Sequence, residues 1–270
     1  MVSGAAIACM VISTVVAFGL PVALFLGFRK RLGLRVVPML VGAMVFILFA
    51  LVLEQFLHAF VLRPDADGKI ALVTQNPLLY VTYGVLAAGV FEETGRLVGF
   101  TLLKRRYARV RTAVSYGIGH GGIEAILVLG LAMISNIALA AIINGGQAAS
   151  ALASLPPETA LAVTESLTQT PPVMFLIGAL ERVLAMIVQL SLSVLVWVAV
   201  THAGRRWLFP LAIVLHAIVN VPVTCYQVGL LPLVWVEGIL LVSALALGAY
   251  AVWWIRRCVA EDRLAADAAA

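Results

Sequence analysis

Three charged residues interrupt an otherwise apolar stretch of the chain, VFEETGRLVGF at residues 90–100. They are Glu92, Glu93 and Arg96. On a helix Arg96 follows Glu93 by three residues and Glu92 by four, so its guanidinium can reach either carboxylate. It can neutralise only one of them. The other carboxylate is then available to bind a cation or to accept a proton from water.

Two histidines are each followed, one helical turn later, by an oxygen-bearing side chain. His120 precedes Glu124 in GHGGIE, and His216 precedes Asn220 in LHAIVN. Each pair places a ring nitrogen and an oxygen group on the same helix face. This arrangement suits a metal ion or a water molecule held between helices, with the oxygen group as a second ligand or an orienting partner.

The composition indicates which elements carry these residues. Of the 270 residues, 63% are hydrophobic and 11% are charged, whereas soluble domains carry about 25% charged residues. Continuous apolar runs of ~20 residues indicate membrane-spanning helices rather than the strands of a barrel. We therefore predict an all-α, polytopic transmembrane helix bundle that forms one membrane domain over residues 1–270, with the site helices at about 77–226.

The apolar runs predict about seven spans. They cover residues 5–27, 36–62, 77–103, 112–144, 172–200, 208–226 and 229–255. The long fourth span is expected either to break near Asn136 or to end in an extension along the membrane interface. In the loop that follows, a short helix is expected to begin at Pro157, because proline suits the first turn of a helix.

The basic residues predict the orientation of these spans. Four lie in segment 28–35, five in 104–111, two in 201–207 and three after residue 255. With seven spans, all of these face one side, which the positive-inside rule identifies as cytoplasmic; the N-terminus is then outside. Their positive charge is expected to meet anionic lipid rather than nucleic acid. A short chain with few loops suggests a multi-pass protein of a bacterial plasma membrane.

Counting residues from the predicted span ends places polar residues of three helices at similar depth. With a rise of ~1.5 Å per residue, His120 and His216 lie about 12 Å from the cytoplasmic ends of their spans, and Glu92 and Glu93 about 15 Å. Glu181, on a fourth helix, lies nearer the outer side. Because ionisable residues at this depth usually face the bundle interior, the three helices are predicted to share one site.

The charges expected inside the membrane do not balance. They belong to Glu92, Glu93, Glu124, Glu181, Arg96 and Arg182. With neutral histidines two negative charges are in excess, and burial makes such an excess unfavourable. Protonation of a glutamate or a bound divalent cation would relieve it. A purely structural role is also open for Glu181 and Arg182, since adjacent residues point ~100° apart and can pair with different neighbours.

Together these motifs resemble the YhfC family of intramembrane peptidases. The resemblance rests on EETGR at 92–96, GHGGIE at 119–124, ER at 181–182 and LHAIVN at 215–220, in that order and each on its own span. That family is similar to the wider group that contains the CAAX-processing proteases, the bacteriocin-processing (CPBP) proteins and PrsW. The resemblance implies hydrolysis of a peptide substrate that is embedded in, or associated with, the membrane.

The resemblance also implies catalytic roles. Glu92 would activate a water molecule with the assistance of Glu93, and Arg96 would fix both carboxylates. Asn220 would support the histidine of its motif, and the ER pair at 181–182 would support the site from a further helix.

Two mechanisms are compatible with the resemblance. In one, His120, Glu124 and His216 bind a divalent metal such as zinc. In the other, the histidines orient the water and the oxyanion in a metal-free glutamate mechanism. Members of the family tend to carry a histidine further along the ER helix, where this chain has Gln189. A glutamine there can still donate to an oxyanion. A catalytically inactive, protease-like scaffold is also an open alternative.

Two other functions are open on the residues alone. Deep glutamates and histidines also serve proton- or cation-coupled transporters, although the sequence shows no evident inverted repeat or matched pair of broken helices. The second is haem binding, because His120 and His216 at matched depth could be axial ligands.

Overall fold

Helices account for all regular secondary structure in the described part of the chain, residues 1–65 and 68–267 of the computed structural model. The side chains at 262, 263, 265 and 266, which include one basic residue of the predicted cytoplasmic tail, lie outside the described part. In chain order the α-helices are α1 (Gly4–Leu32), α2 (Val36–Phe46), α3 (Glu54–Leu62), α4 (Ala71–Gln75), α5 (Pro77–Leu103), α6 (Arg111–Ala125), α7 (Leu131–Asn144), α8 (Ala148–Ala151), α9 (Pro157–Gln169), α10 (Pro172–Thr201), α11 (Leu208–Gln227) and α12 (Leu233–Asp267). The all-α prediction is confirmed, as is the helix that begins at Pro157.

Within the described residues six helical segments are long and apolar enough to cross a membrane. They are Gly4–Leu32, Val36–Leu62, Arg111–Asn144, Pro172–Thr201, Leu208–Gln227 and Leu233–Glu261. Helix α5 has 27 residues and is long enough to span. Its apolarity is lower because its second half contains Glu92, Glu93 and Arg96. The chain is therefore polytopic, while the seventh span and the orientation stay predictions.

Two of the long segments contain π-helical turns rather than breaks. Ile47–Leu53 joins α2 to α3, and Ile126–Gly130 joins α6 to α7. The expected break near Asn136 is absent, because that residue lies within the continuous helix α7. An asparagine costs a helix at most ~0.7 kcal/mol, which its apolar neighbours readily offset. The irregularity lies instead at Gly130, where a side chain would collide with Phe18.

The chain divides into two compact units, of which unit 1 comprises Met1–Ala23 and Glu124–Val183. Its apolar core includes Met10, Ala17 and Ala140, all of them fully buried. Two polar contacts tie its distant segments together. The Ser13 hydroxyl donates to the Phe175 carbonyl over 2.7 Å, and the Asn144 side chain bonds to both backbone groups of Val2 over 2.7 and 3.0 Å.

Unit 2 comprises Leu24–Ile123 and Leu184–Ala270. Its core surrounds the second half of α10, where every residue from 191 to 199 is buried. Aromatic rings of α5, α6 and α10 meet there: Phe100 lies 4.4 Å from Tyr116 and 5.3 Å from Trp197 between ring centroids. One membrane domain over residues 1–270 stays a prediction. The two units differ in their internal packing, which does not show whether either folds independently.

Glycines set the helix spacing in unit 2. A side chain at Gly89 would lie 2.9 Å from the Ile213 carbonyl oxygen, so α5 and α11 approach as closely as they do only because this residue is glycine. Gly119 of α6 packs in the same way against the Met39 backbone of α2. The close approach of α5 and α11 brings their polar side chains within hydrogen-bond distance of each other.

Candidate active site

Both carboxylates, the arginine and both histidines meet in the interior of unit 2. We call this group, together with Gln189, the polar cluster. Glu93, Arg96 and His120 are fully buried, whereas Glu92 retains 8% and His216 3% of its accessible surface. They lie on α5, α6 and α11. Counting residues from the span ends predicts that the polar residues of these three helices lie at a similar depth. The structure thus assembles the residues that the sequence proposes.

Glu93 is held from two sides. Arg96 Nη1 donates to Glu93 Oε1 in a close ion pair, and His216 Nδ1 lies 2.6 Å from the same oxygen. Its other oxygen, Oε2, is buried and has no hydrogen-bond partner among the described residues. Glu93 therefore fixes the His216 ring and directs its remaining nitrogen, Nε2, away from itself.

Glu92 lies between the two histidines. Its Oε2 is 2.9 Å from His120 Nε2, and its Oε1 is 3.7 Å from His216 Nε2. Arg96 Nη2 is also 3.7 Å from Oε2, too far for a direct hydrogen bond. Glu92 is thus the carboxylate to which Arg96 does not donate a direct hydrogen bond.

Gln189 of α10 joins Arg96 to Glu92. Its side-chain carbonyl accepts from Arg96 Nη2 in a close contact, and its amide Nε2 lies 3.4 Å from Glu92 Oε2. Gln189 is therefore part of the polar cluster. A side chain that accepts from the guanidinium and donates to the carboxylate can hold both in place.

Four other predicted residues have contacts or environments that are described separately. Arg182 Nη1 donates to Glu124 Oε1 over 2.9 Å, an ion pair that lies wholly within unit 1. Glu181 is half-buried and forms no ion pair within the described chain. Asn220 is half-buried, and the described contact it makes is through its backbone carbonyl, which accepts from the Thr224 hydroxyl. The metal-ligand role of Glu124 and the supporting role of Asn220 stay predictions.

Tyr116 belongs to the site but is not among the residues predicted from the sequence motifs. The Tyr116 ring stacks on His120 at 6.0 Å, and Phe46 meets the same imidazole edge-on at 5.0 Å. Tyr116 lies one helical turn before His120, a spacing that indicates contact on a common face. The signal was present in the sequence, but an aromatic residue in an apolar helix does not stand out as a charged one does.

Glu92 and His120 present candidate ligand atoms close enough together to share a metal ion. His120 and His216 both turn Nε2 toward the same carboxylate, and two histidines with one carboxylate form a common set for catalytic zinc. The contact from His216 Nδ1 to Glu93 resembles the carboxylate that orients a metal-binding histidine. With neutral histidines, two carboxylates and one arginine leave one negative charge, which favours a cation.

The chain is similar in sequence to known proteins over most of its length. The sequence profile of the YhfC intramembrane metalloprotease family matches residues 15–241, which include every residue of the polar cluster. The uncharacterized membrane protein YhfC of Bacillus subtilis (strain 168) is 38% identical over 257 residues, which cover 94% of this chain and 97% of the relative. No solved structure matches the chain. The bacterial relative and the apolar helices identify a multi-pass protein of a bacterial membrane. The resemblance inferred from the sequence motifs is confirmed: the chain belongs to the YhfC intramembrane metalloprotease family.

Proposed function

We propose that this protein hydrolyses peptide bonds of substrates that are embedded in, or associated with, the membrane, and that Glu92 is its general base. The family supports an intramembrane protease. The observation that carries the role of Glu92 is the division of labour between the two glutamates. Arg96 and His216 engage Glu93, whereas Glu92 faces the Nε2 atoms of both histidines.

Exposure supports the same assignment. A general base must reach the water molecule whose proton it accepts. Glu92 retains 8% of its accessible surface, and Glu93 retains none. Glu92 therefore can meet a water molecule without a rearrangement of the cluster, while Glu93 serves as a positioning residue for His216.

The reaction follows from these positions. Glu92 accepts a proton as water attacks the scissile carbonyl carbon, and returns it to the nitrogen of the leaving amine. In the metal-free form of the mechanism, side-chain N–H groups of His120 and Gln189 face this carboxylate and are available to stabilise the oxyanion. In a buried site such fixed donors act more strongly than in water.

A divalent metal fits the same arrangement. His120 and His216 would hold it through Nε2, and when bound it supplies Lewis-acid polarisation of the peptide carbonyl and acidifies water. Zinc is our proposal for its identity, because two imidazoles near a carboxylate suit that ion. Glu93 then keeps the His216 ring oriented through Nδ1.

The test is cleavage of a panel of transmembrane and prenylated peptides by the purified protein, with products identified by mass spectrometry. We expect the wild type to cleave at least one peptide and Glu92→Ala and His216→Ala to cleave none. Glu165→Gln, an exposed change on α9, is the matched control and is expected to keep full activity. Unchanged cleavage by both active-site variants would show that hydrolysis does not depend on the polar cluster.

A further inference from the structure

Basic side chains converge on two adjoining cavities in unit 2, each with a volume of about 460 Å³. The cavities lie where α1 ends and where α2 and α6 begin, and they share Arg35, Tyr107 and Arg111. The cationic residues that line one or both are Arg29, Lys30, Arg35, Arg106, Arg109 and Arg111. We call these six residues the basic pocket. It is separate from the polar cluster, none of whose members lines either cavity.

Among the described residues, no carboxylate lines these cavities. The sequence contains no Asp or Glu at 24–53 or 94–123, the stretches that build this face. Cations gathered in one place repel one another, and a concave surface of one sign concentrates the field and attracts counter-ions. The basic pocket therefore favours a bound anion.

Two helix N-termini add to the positive potential. Helix α2 begins at Val36, and its N-cap residue, Arg35, makes no side-chain capping bond. Helix α6 begins at Arg111. The first turn of a helix presents backbone N–H groups without helical partners and the positive end of the dipole. Together these make a helix N-terminus a ready site for a phosphate or carboxylate.

The pocket is also held in shape. The buried Ser115 hydroxyl accepts from the backbone N–H of Arg35 over 3.1 Å and donates to the carbonyl of Arg111 over 3.2 Å. Gly33 turns the chain with a φ of +66°, a conformation that is strained for other residues, and the Arg111 guanidinium packs over it. Because one serine fixes the backbone at both shared arginines, their spacing does not depend on a ligand.

We propose that the basic pocket binds a phosphate group. Guanidinium groups bind phosphate through two parallel hydrogen bonds, and several arginines around one cavity can surround its oxygens. Basic pockets between membrane helices are typical sites for anionic lipid headgroups. A free inorganic phosphate or pyrophosphate offers the same chemistry, and the experiment distinguishes the two sources. Each cavity far exceeds the ~30 Å³ of a water molecule and has room for a phosphate with its ester substituent.

The experiment measures binding to the purified full-length protein in a neutral detergent. The ligands are phosphatidylglycerol, phosphatidylcholine, inorganic phosphate and pyrophosphate, and native mass spectrometry and calorimetry give the affinities. We expect saturable binding of phosphatidylglycerol and none of phosphatidylcholine, whose headgroup has no net charge. Binding of pyrophosphate with displacement of the lipid would identify a site for phosphate in general; binding of the lipid alone would identify a headgroup site.

Matched variants separate the pocket from general surface charge. Arg35→Gln/Arg111→Gln removes the two arginines that line both cavities and is expected to weaken binding ~10-fold or more, because hydrogen bonds between charged groups are strong. Arg31→Gln/Arg105→Gln removes the same charge from exposed neighbours outside both cavities and is expected to change affinity less than ~2-fold. Equal weakening by both pairs, or no saturable binding by the wild type, would overturn the proposal.

A second variant guards against a folding defect. Arg106 and Arg109 are exposed, so Arg106→Gln/Arg109→Gln leaves the Ser115 contacts intact. We expect it to weaken binding with an unchanged thermal unfolding midpoint in the absence of ligand. Arg111→Lys, which keeps the charge but not the bidentate geometry, is expected to weaken binding less than Arg111→Gln.

Discussion

Two arginine–glutamate contacts among the described residues, Arg182–Glu124 in unit 1 and Arg96–Glu93 in unit 2, differ in their surroundings. In unit 1, Arg182 Nη1 donates to Glu124 Oε1 over 2.9 Å. In unit 2, Arg96 faces two glutamates and bonds directly to only one, Glu93. In the first arrangement the arginine neutralises the charge of the glutamate that it contacts. The second leaves one carboxylate for the histidines, which is what a catalytic base or a metal site needs.

The arginine–glutamate contact in unit 2 is also more deeply buried than the one in unit 1. The Arg182 and Glu124 side chains keep 17% and 14% of their exposure, whereas Arg96 and Glu93 keep none. The unbalanced charge is thus the more deeply buried one. Proteins retain such costly arrangements at functional sites, where surrounding contacts hold them in place. The following changes test this difference between the unit 1 pair and the polar cluster.

The largest expected effect is the loss of bound metal when a histidine of the polar cluster is removed. We expect the wild type to carry about one divalent ion per chain and His120→Ala to carry almost none, because the ion loses a nitrogen ligand. Inductively coupled plasma mass spectrometry of the purified proteins measures this. His202→Ala, outside the cluster, is the control. Equal metal content in His120→Ala and the wild type would remove the metal from this site.

Glu93→Gln should damage both stability and catalysis. The change leaves Arg96 buried with a neutral partner, and breaking a buried ion pair costs about 3–5 kcal/mol. It also releases His216, so we expect activity to fall ~10²-fold. Chemical denaturation and peptide cleavage measure the two effects. Glu92→Gln is expected to lower stability much less, and equal destabilisation by both changes would contradict the assignment of Glu93 as the positioning residue.

The long helices and the grouping of the polar residues could be predicted from the sequence. The apolar runs predicted the long helices, since burial in lipid requires uninterrupted helical hydrogen bonding. Depth counting brought Glu92, Glu93, His120 and His216 together because rise per residue is fixed. Depth and spacing do not distinguish the two glutamates, because adjacent residues share a depth and differ only in their tertiary contacts; the family resemblance alone favoured Glu92 as the base.

Other features depend on packing between distant segments. The charge count treated Arg182 as one of two bases available to all the glutamates, whereas the structure pairs it with Glu124. The π-helical turns at Ile47–Leu53 and Ile126–Gly130 have no sequence signature of their own. Gln189 joins the polar cluster because of how α10 packs in unit 2. The second half of α10 is buried on all sides, so the pattern of apolar residues does not indicate which face meets the cluster.

The unit 1 pair should behave as an ordinary structural ion pair. Arg182→Gln and Glu124→Gln are each expected to destabilise the protein by about 1–3 kcal/mol, because each leaves a partly buried charge without its partner. The double variant should be less unstable than the sum of the two single changes. A double-mutant cycle by denaturant unfolding measures this coupling. Strict additivity would show that the contact contributes no pairing energy.

The smallest expected effect is at Gln189. Gln189→Leu keeps the approximate volume but removes the contacts to Arg96 and Glu92, so we expect kcat to fall about 10-fold with little change in KM. Gln189→Glu is the comparison, since it keeps the acceptor for Arg96 and loses the donor to Glu92. Wild-type kcat in Gln189→Leu would show that this residue only fills space.

The most direct test of the account is the single-turnover rate at which Glu92→Gln cleaves a saturating peptide substrate, with its metal content matched to the wild type. If Glu92 is the general base, the peptide still binds and cleavage slows at least ~10²-fold. A rate equal to that of the wild type would contradict the central claim and would assign the base to another residue.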